Sequence, residues 1–287
     1  MFYKINKPTN VFCNKYIRSW AKENNAEKIG QSGTLDPLAS GLVIMATNSD
    51  TKILQYVKNQ PKVYLAKMEF NLFSNTLDSD GEVKKLNYKK VTLQKLEKAI
   101  VKIKKQTYQM PPQFSSKKVK GKKALDLAYK NIAIKLKKQK IKIFSFELLE
   151  FNFEKQYAVF EVSVSSGTYI RSIAKDLAKY CNSSAILTSL KRKSIDNIFL
   201  NDLKENEFEK LNIKNLFNIK MHSLSIEDLN KLKNGQRVFL NYLNEKVFFI
   251  VDKNSAKVLA TGKIKNKYFY PKNVFVERIK NELQRQV

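Results

Sequence analysis

The most informative stretch of this sequence is Gln31-Ser32-Gly33-Thr34-Leu35-Asp36-Pro37-Leu38-Ala39-Ser40-Gly41. Asp36 precedes a proline, which moves its backbone away from the helical region toward the extended one. Glycines on both sides, Gly33 and Gly41, let another backbone approach closely. The stretch therefore predicts a shaped loop that holds one carboxylate among small residues, followed by a short buried strand at 42–46. An ordinary Asp-Pro turn is the alternative that these residues alone leave open.

Helix and strand patterns surround this loop. Residues 14–23 predict an amphipathic helix capped by Asn14, and residues 92–103 predict another, capped by Thr92. Alternating side chains predict a strand at 62–70 and a pair of strands across 141–165. A third helix is predicted to begin after Ser166-Gly167-Thr168 and to reach about Tyr180. This mixture predicts an α+β fold, with residues 1–220 as one domain.

The last part of the chain has a different pattern. Residues 200–220 are polar and predict a surface connection. Short apolar runs follow at 237–240, 247–251, 258–264 and 274–276, separated by turn residues such as Asn234-Gly235. These runs predict a small β domain over residues 225–287.

The charge of the chain points to a polyanionic partner. Lys and Arg number 54 against 26 Asp and Glu, which gives a net charge of +28. Residues 101–142 are the most basic segment, with 14 lysines and a single acid, Asp126. A surface this cationic attracts RNA, DNA or an anionic membrane, although a lysine-rich proteome would raise the charge in the same way.

Cysteine, histidine and apolar runs exclude several classes of protein. The two cysteines, Cys13 and Cys181, have no metal-binding spacing and form no disulfide framework, which predicts a reduced, cytoplasmic protein. A single histidine, His222, excludes catalysis by a pair of histidines. No apolar run reaches roughly 18 residues, and the N-terminus lacks the apolar region of a signal peptide, so a membrane is not the expected partner.

The segment Gly33–Gly41 resembles the G-T-L-D-P-x-A-x-G signature of the TruB family of pseudouridine synthases. Further family motifs follow in the expected order: Lys7-Pro8, Lys62-Val63-Tyr64, a stretch with Thr76, Asp78, Asp80 and Gly81, then Gln109–Lys118 with Gly121, and Ser166–Ser172. The resemblance covers residues 1–192 well. It is weaker beyond, where Asn234-Gly235-Gln236 and the β pattern resemble a reduced PUA-like domain.

This resemblance implies the pseudouridine synthase fold, with a mixed, largely antiparallel central sheet, flanking helices and a small C-terminal β domain. It implies isomerisation of a uridine in the T-loop of tRNA, at position 55, after the base has flipped out of the loop. The reaction breaks the N1–C1′ glycosidic bond and joins C1′ to C5 of the same base, so no cofactor is required. The protein is expected to act as a monomer, with no membrane and no protein partner.

The resemblance also assigns roles to individual residues. Asp36 is the expected nucleophile, Arg171 its cationic partner, and Tyr64 the ring that stacks on the target base. An arginine at a helix start is unfavourable without a partner, which agrees with pairing of Arg171 to a carboxylate. The expected substrate-binding residues are Lys7, Gln31, Lys62, Tyr169 and Leu190. Core packing explains Tyr64, Tyr169 and Leu190 nearly as well on sequence grounds. The basic segment 101–142 and the C-terminal domain are expected to contact the RNA backbone.

Four positions depart from the family pattern, two of which, Asn10 and Phe12, lie in the N-terminal block. Gln31 stands where the family usually has a histidine, which is associated with holding the flipped T-loop open. Phe114 stands where a tyrosine is usual, which removes one hydroxyl. Activity is expected to survive the loss of the histidine, because that residue is not the nucleophile.

Three other functions remain open on sequence grounds. A non-catalytic RNA-binding protein on the same scaffold explains the charge and Gln31, but it gives no reason for Asp36, Tyr64 and Arg171 to occur together. A base-releasing glycosidase would use the same carboxylate and liberate free uracil. A guide-RNA-dependent relative would modify ribosomal RNA rather than bare tRNA.

Overall fold

The computed structural model describes residues 1–58, 60–115, 117–119, 122–124, 127 and 136–285. The middle of the predicted basic segment, together with the motif residue Gly121, lies outside the described residues. Within the described residues the strands are β1 (Phe2–Lys7), β2 (Ile29–Gln31), β3 (Ala39–Thr47), β4 (Lys62–Phe70), β5 (Leu72–Phe73), β6 (Lys84–Lys85), β7 (Tyr108–Gln109), β8 (Lys118–Val119), β9 (Lys122–Lys123), β10 (Gln139–Lys140), β11 (Ile143–Asn152), β12 (Tyr157–Val164), β13 (Ala185–Ile195), β14 (Ile198–Phe199), β15 (Phe208–Lys210), β16 (Met221–His222), β17 (Val238–Phe239), β18 (Glu245–Val251), β19 (Val258–Lys265) and β20 (Tyr268–Val274). The helices are α1 (Cys13–Glu23), α2 (Leu93–Lys104), α3 (Ile170–Tyr180), α4 (Ile213–Leu216), α5 (Ile226–Lys233) and α6 (Val276–Arg285), with a 3-10 helix at Asn48–Tyr56.

A large mixed sheet forms the centre of the fold. Its strands lie in the order β11-β12-β4-β13-β3-β1-β15, with β2 paired to β3 and β14 to β13. Only β3 and β13 pair in parallel in this sheet; the other pairings of its described strands are antiparallel. The predicted mixed, largely antiparallel sheet is therefore confirmed.

Two strands at the centre of the sheet show how the sequence places side chains. All nine residues of β3 are buried, as an uninterrupted run of apolar and small residues predicts. In β4 burial alternates, because successive side chains of a strand point to opposite faces. The even-numbered residues from Lys62 to Phe70 are the buried ones. The two residues that begin this series, Lys62 and Tyr64, therefore share a face.

Three helices flank this sheet largely as predicted. Thr92 caps α2 by accepting a hydrogen bond from the backbone N–H of Lys95. Helix α3 buries the apolar residues of one face, Ile170, Ile173, Ala174 and Leu177. The predicted cap of α1 is wrong: the helix begins at Cys13, and Phe12 precedes it without a side-chain cap. None of the helices in the described residues has the length and apolar character needed to span a membrane.

The C-terminal part contains more helix than the sequence indicated. A second sheet has the order β16-β18-β19-β20-β17. The last predicted strand, at 274–276, is wrong at its C-terminal end, because β20 ends at Val274 and α6 begins at Val276. The prediction missed α5 and α6, whose apolar residues pack on the sheet around Leu232 and Ile279. Short elements of this kind leave too few turns for a helical period to be recognised.

The segment 200–220 is not only a surface connection. Its residues Phe208–Lys210 pair with β1 and form an edge of the large sheet. Leu216 and Phe217 are buried in a hydrophobic cluster that also contains Phe2 and Phe249. The surface-connection prediction is therefore wrong for these residues, because isolated apolar residues in a polar run carry no periodic signal.

Candidate active site

The predicted loop opens onto a cleft of about 710 Å³. Most of the residues singled out from the sequence meet in its wall: Asp36, Lys62, Tyr64, Tyr169, Arg171 and Leu190. They come from the loop before β3, from β4, from the start of α3 and from β13. The adjacent strand β4 supplies Lys62 and Tyr64, and β13 supplies Leu190 and Arg192. The two residues of each pair are two positions apart, as residues on one face of a strand must be.

Asp36 and Arg171 form the ion pair that the sequence predicted. Arg171 Nη2 lies 2.8 Å from Asp36 Oδ2. The Asp36 side chain is 39% exposed and lines the cleft, whereas the Arg171 side chain is 6% exposed. A buried guanidinium thus holds a carboxylate that solvent, and hence a substrate, can reach.

Arg171 also binds a second carboxylate. Its Nη1 lies 3.2 Å from Asp78 Oδ2, and Asp78 is almost fully buried. The guanidinium further donates to the carbonyl oxygens of Thr76, at 2.9 Å, and Phe114, at 3.0 Å. Because these contacts use both terminal nitrogens, the orientation of Arg171 toward Asp36 is set by groups on two other segments.

Burial shifts the ionisation of two neighbours of this pair. It raises the pKa of the Asp78 carboxyl, against the opposing effects of the Thr76 hydroxyl and the Arg171 guanidinium. It also raises the pKa of the Tyr169 hydroxyl, which keeps that group protonated over a wider pH range. The backbone of Tyr169 is held by Gln109, whose side chain accepts from its N–H at 2.9 Å and donates to its carbonyl at 3.0 Å.

Polar groups form hydrogen bonds with the backbone of the loop that carries Asp36. Lys7 Nζ donates to the carbonyl oxygens of Pro8, at 2.8 Å, and Ala39, at 2.6 Å, and more weakly to that of Pro37. Asp80 accepts a hydrogen bond from the Leu38 N–H at 3.1 Å. Lys7 is fully buried and does not line the cleft. The structure therefore places it as a support of the loop.

Gly41 is required where the loop joins the sheet. Its φ is +103°, and a Cβ there would lie 2.4 Å from the carbonyl oxygen of Arg192 in the neighbouring strand. The close backbone approach expected of these glycines is thus confirmed at Gly41.

Gln31 connects the loop to helix α1. Its Nε2 donates to Asn14 Oδ1 at 2.8 Å and to Thr34 Oγ1 at 3.1 Å, and its Oε1 accepts from the Cys13 thiol at 2.7 Å. Asn14, predicted as a helix cap, instead serves as this acceptor. Gln31 is not among the residues that line the cleft, although its three partners are.

Two of the residues that line the cleft, Lys62 and Arg192, are buried cations. Burial, together with the nearby Arg192 guanidinium, lowers the pKa of Lys62 to about 7. Arg192 donates from Nε to the Leu42 carbonyl at 2.6 Å and from Nη2 to the Gly33 carbonyl at 2.9 Å. Sequence reasoning missed Arg192 altogether.

Sequence reasoning also missed the pairing of Asp78 with Arg171. Asp78 was noticed as part of a motif, and a carboxylate in a turn close to other motif residues was the available signal. For Arg192 no such signal exists, because an arginine in an alternating strand is ordinary. Among the described residues, no group of three His, Cys, Asp or Glu side chains is placed to hold a metal ion.

The architecture matches that of solved pseudouridine synthase structures. A Cbf5–Nop10–Gar1 complex superposes with a TM-score of 0.63 at 18% identity, covering 95% of this chain and 83% of that one. An H/ACA ribonucleoprotein bound to a substrate RNA that contains 2′-deoxyuridine gives 0.63 at 16% identity, covering 96% and 84%. The chain thus has the pseudouridine synthase fold.

Sequence comparison gives the family. The model of the TruB family pseudouridylate synthase N-terminal domain matches residues 21–170. A protein of Mesomycoplasma hyopneumoniae (strain 232) named tRNA pseudouridine synthase B is 38% identical over 278 residues, which cover 96% of this chain and 82% of that protein. The protein of the same name from Aquifex aeolicus (strain VF5) is 30% identical, over 95% and 98%. The chain belongs to the TruB family of pseudouridylate synthases and is an isomerase.

Proposed function

We propose that this protein converts a uridine of tRNA, at position 55 in the T-loop, to pseudouridine, with Asp36 as the nucleophile. One observation carries the proposal: Asp36 is the partly exposed carboxylate of a cleft in which Arg171 is buried and paired with it at 2.8 Å. The tRNA-directed names of relatives that are 30–40% identical over most of the chain support the choice of substrate.

The chemistry needs one nucleophile and a shielded pocket. Asp36 attacks the nucleoside, or assists elimination from it, as the N1–C1′ bond breaks. A carboxylate stabilises or traps the electron-poor sugar, as in retaining glycosidases. The detached uracil turns within the cleft, C1′ bonds to C5, and the proton on C5 leaves while N1 gains one. The product has the same atoms and oxidation state as the substrate.

The other residues of the cleft orient the reacting groups. Arg171 holds the carboxylate in place. Tyr64 stacks on the base, and Lys62, Tyr169 and Leu190 surround the nucleotide. Lys7 and Gln31, which do not line the cleft, act on the substrate by supporting the loop. The target base must leave the T-loop to reach Asp36, at a cost of a few kcal/mol that RNA contacts recover.

The RNA contacts outside the cleft are proposed on charge. The chain has a catalytic domain of residues 1–220 and a PUA-like β domain of residues 225–287. The PUA-like domain and the basic segment 101–142 bind RNA through its phosphates and its shape. The protein acts in the cytoplasm as a monomer, without a protein partner or cofactor. Two measurements on the purified protein alone test the monomeric state and the lack of a partner or cofactor. Its mass in solution should be that of one chain, and it should convert a tRNA transcript without any added protein or cofactor.

Replacing Asp36 by asparagine tests the catalytic proposal. Asn keeps the size of the side chain and removes the carboxylate, so tritium release from 5-tritiated uridine in a tRNA transcript should fall by at least about 10⁴-fold, while the RNA still binds. Asp202→Asn, at an exposed position far along the chain, is the matched control and should be fully active.

The substrate needs its own control. A transcript with cytidine at position 55 should release no tritium. Conversion of that transcript would refute position 55 as the site of modification. Release of free uracil from the uridine transcript would indicate a glycosidase. Full activity of Asp36→Asn would refute the role of the carboxylate. A wild-type protein that binds the transcript without converting it would indicate a non-catalytic RNA-binding protein.

A further inference from the structure

Lys62 is a buried cation that faces the cleft with no anion beside it. Its side chain lines the cleft, and the residue is 6% exposed. Within the described part of the chain, its ammonium makes no hydrogen bond and no ion pair. Among the described residues, the charged group that shifts its pKa is another cation, Arg192. Burying an ammonium without a partner is costly, so such a group is typical of a site whose partner comes from outside the protein.

Arg192 presents a second donor at the same place. Its Nε and Nη2 are used by the carbonyls of Leu42 and Gly33, while Nη1 has no acceptor among the described residues. A methyl group added to the Cα of Gly33 would lie 2.7 Å from Lys62 Nζ and 3.6 Å from Arg192 Nη1. Lys62 Nζ and Arg192 Nη1 therefore both lie close to the backbone of Gly33, in the wall of the cleft.

The nearby carboxylates do not neutralise these cations. Asp36 and Asp78 are both bound to Arg171. Asp80 accepts from the backbone of Leu38. The positive charge beside Gly33 is therefore left for a ligand.

We propose that Lys62 and Arg192 bind one phosphodiester group of the RNA, at the part of the cleft wall that they form with Gly33, next to the nucleotide whose base enters the cleft. The inference deepens the proposed function and rests on it for the identity of the RNA. A phosphodiester has a full negative charge and two free oxygens, which suits two adjacent donors better than a neutral base carbonyl does. Binding at this point would fix the sugar of the flipped nucleotide relative to Asp36, because its phosphate lies within a few bonds of C1′.

The test neutralises one phosphate at a time. A series of T-arm RNAs is synthesised, each with a single methylphosphonate linkage near the target uridine, and the dissociation constants are measured by fluorescence anisotropy. The parent protein carries Asp36→Asn, so that no RNA is converted during the measurement. In that parent, one linkage should weaken binding by about tenfold or more, as expected for a buried charge-assisted contact.

The decisive comparison is with Lys62→Met in the same parent. This variant should bind the unmodified RNA about tenfold more weakly, and the sensitive linkage should then have less than about a twofold effect, because its partner is gone. Lys67→Met is the matched control: it lies on the same strand with an alternate orientation, its side chain is 38% exposed, and it should keep the full sensitivity of the parent.

Two results would overturn the phosphate site. One is that Lys62→Met binds the unmodified RNA as tightly as the parent does. The other is that every linkage has the same effect in Lys62→Met as in the parent. Urea unfolding of each variant shows whether the fold is intact. Conversion of tRNA by the wild-type protein is measured separately, so failure of the proposed function and failure of the phosphate site give different results.

Discussion

Replacing Lys62 by methionine should stabilise the RNA-free protein, by an amount that shrinks as the pH rises. Burial lowers the pKa of Lys62 from the ordinary 10.5 to about 7. In the unfolded chain the same group titrates at its ordinary value. Between pH 7 and 10.5 the unfolded chain therefore binds more protons than the folded protein at this position, and the stability of the wild type must rise with pH.

The size of the effect follows from the two pKa values. One unit of difference corresponds to about 1.4 kcal/mol, so Lys62 lowers the free energy of unfolding by about 4 kcal/mol at pH 7 and by about 2 kcal/mol at pH 9. Methionine has a similar length and no charge, so it avoids this penalty. The difference in unfolding free energy between variant and wild type should narrow by about 2 kcal/mol between pH 7 and pH 9.

Trp20 provides the measurement. It is the only tryptophan of the chain, and its ring is packed against Tyr3 and Phe208, so its fluorescence should report urea unfolding. Lys67→Met is the control, and its difference from the wild type should be the same at both pH values. A Lys62→Met protein that is less stable than the wild type at pH 7, or a difference that stays constant up to pH 9, would refute the desolvation argument.

Three further predictions concern the site and its support. Asp78→Asn should lower the single-turnover rate at least about tenfold with an RNA dissociation constant within about twofold, because it loosens the guanidinium that faces the nucleophile; an unchanged rate would contradict this. Gly41→Ala should lower the free energy of unfolding by about 3 kcal/mol or more, because the added Cβ meets a backbone carbonyl. Gly235→Ala, which has open space around it, should lower it by only about 1 kcal/mol. Equal losses for the two variants in urea unfolding would show that the close approach is unimportant. RNA affinity should fall as the pH rises from 7 to 8.5, since Lys62 must take up a proton to bind a phosphate, and Lys62→Met should remove this dependence in anisotropy titrations.

The sequence by itself determined the local features of the site. An aspartate before a proline between glycines predicted the loop, and alternating side chains predicted the strand at 62–70. The arginine at the start of α3 could be assigned a carboxylate partner, because a cation at that end of a helix needs one. These inferences succeed because backbone preference and side-chain period act over a few neighbouring residues.

Only the tertiary structure decided which distant groups meet. Asp78 approaches Arg171 from a turn more than ninety positions earlier, and Arg192 reaches Gly33 across 159 positions. For neither Asp78 nor Arg192 does the neighbouring sequence indicate which residue it will contact. The same holds for Phe208–Lys210, which joins the sheet through a pairing with β1 at the other end of the chain. Local patterns record whether a side chain is buried, whereas the partner it finds there depends on how strands far apart in sequence are ordered in the sheet.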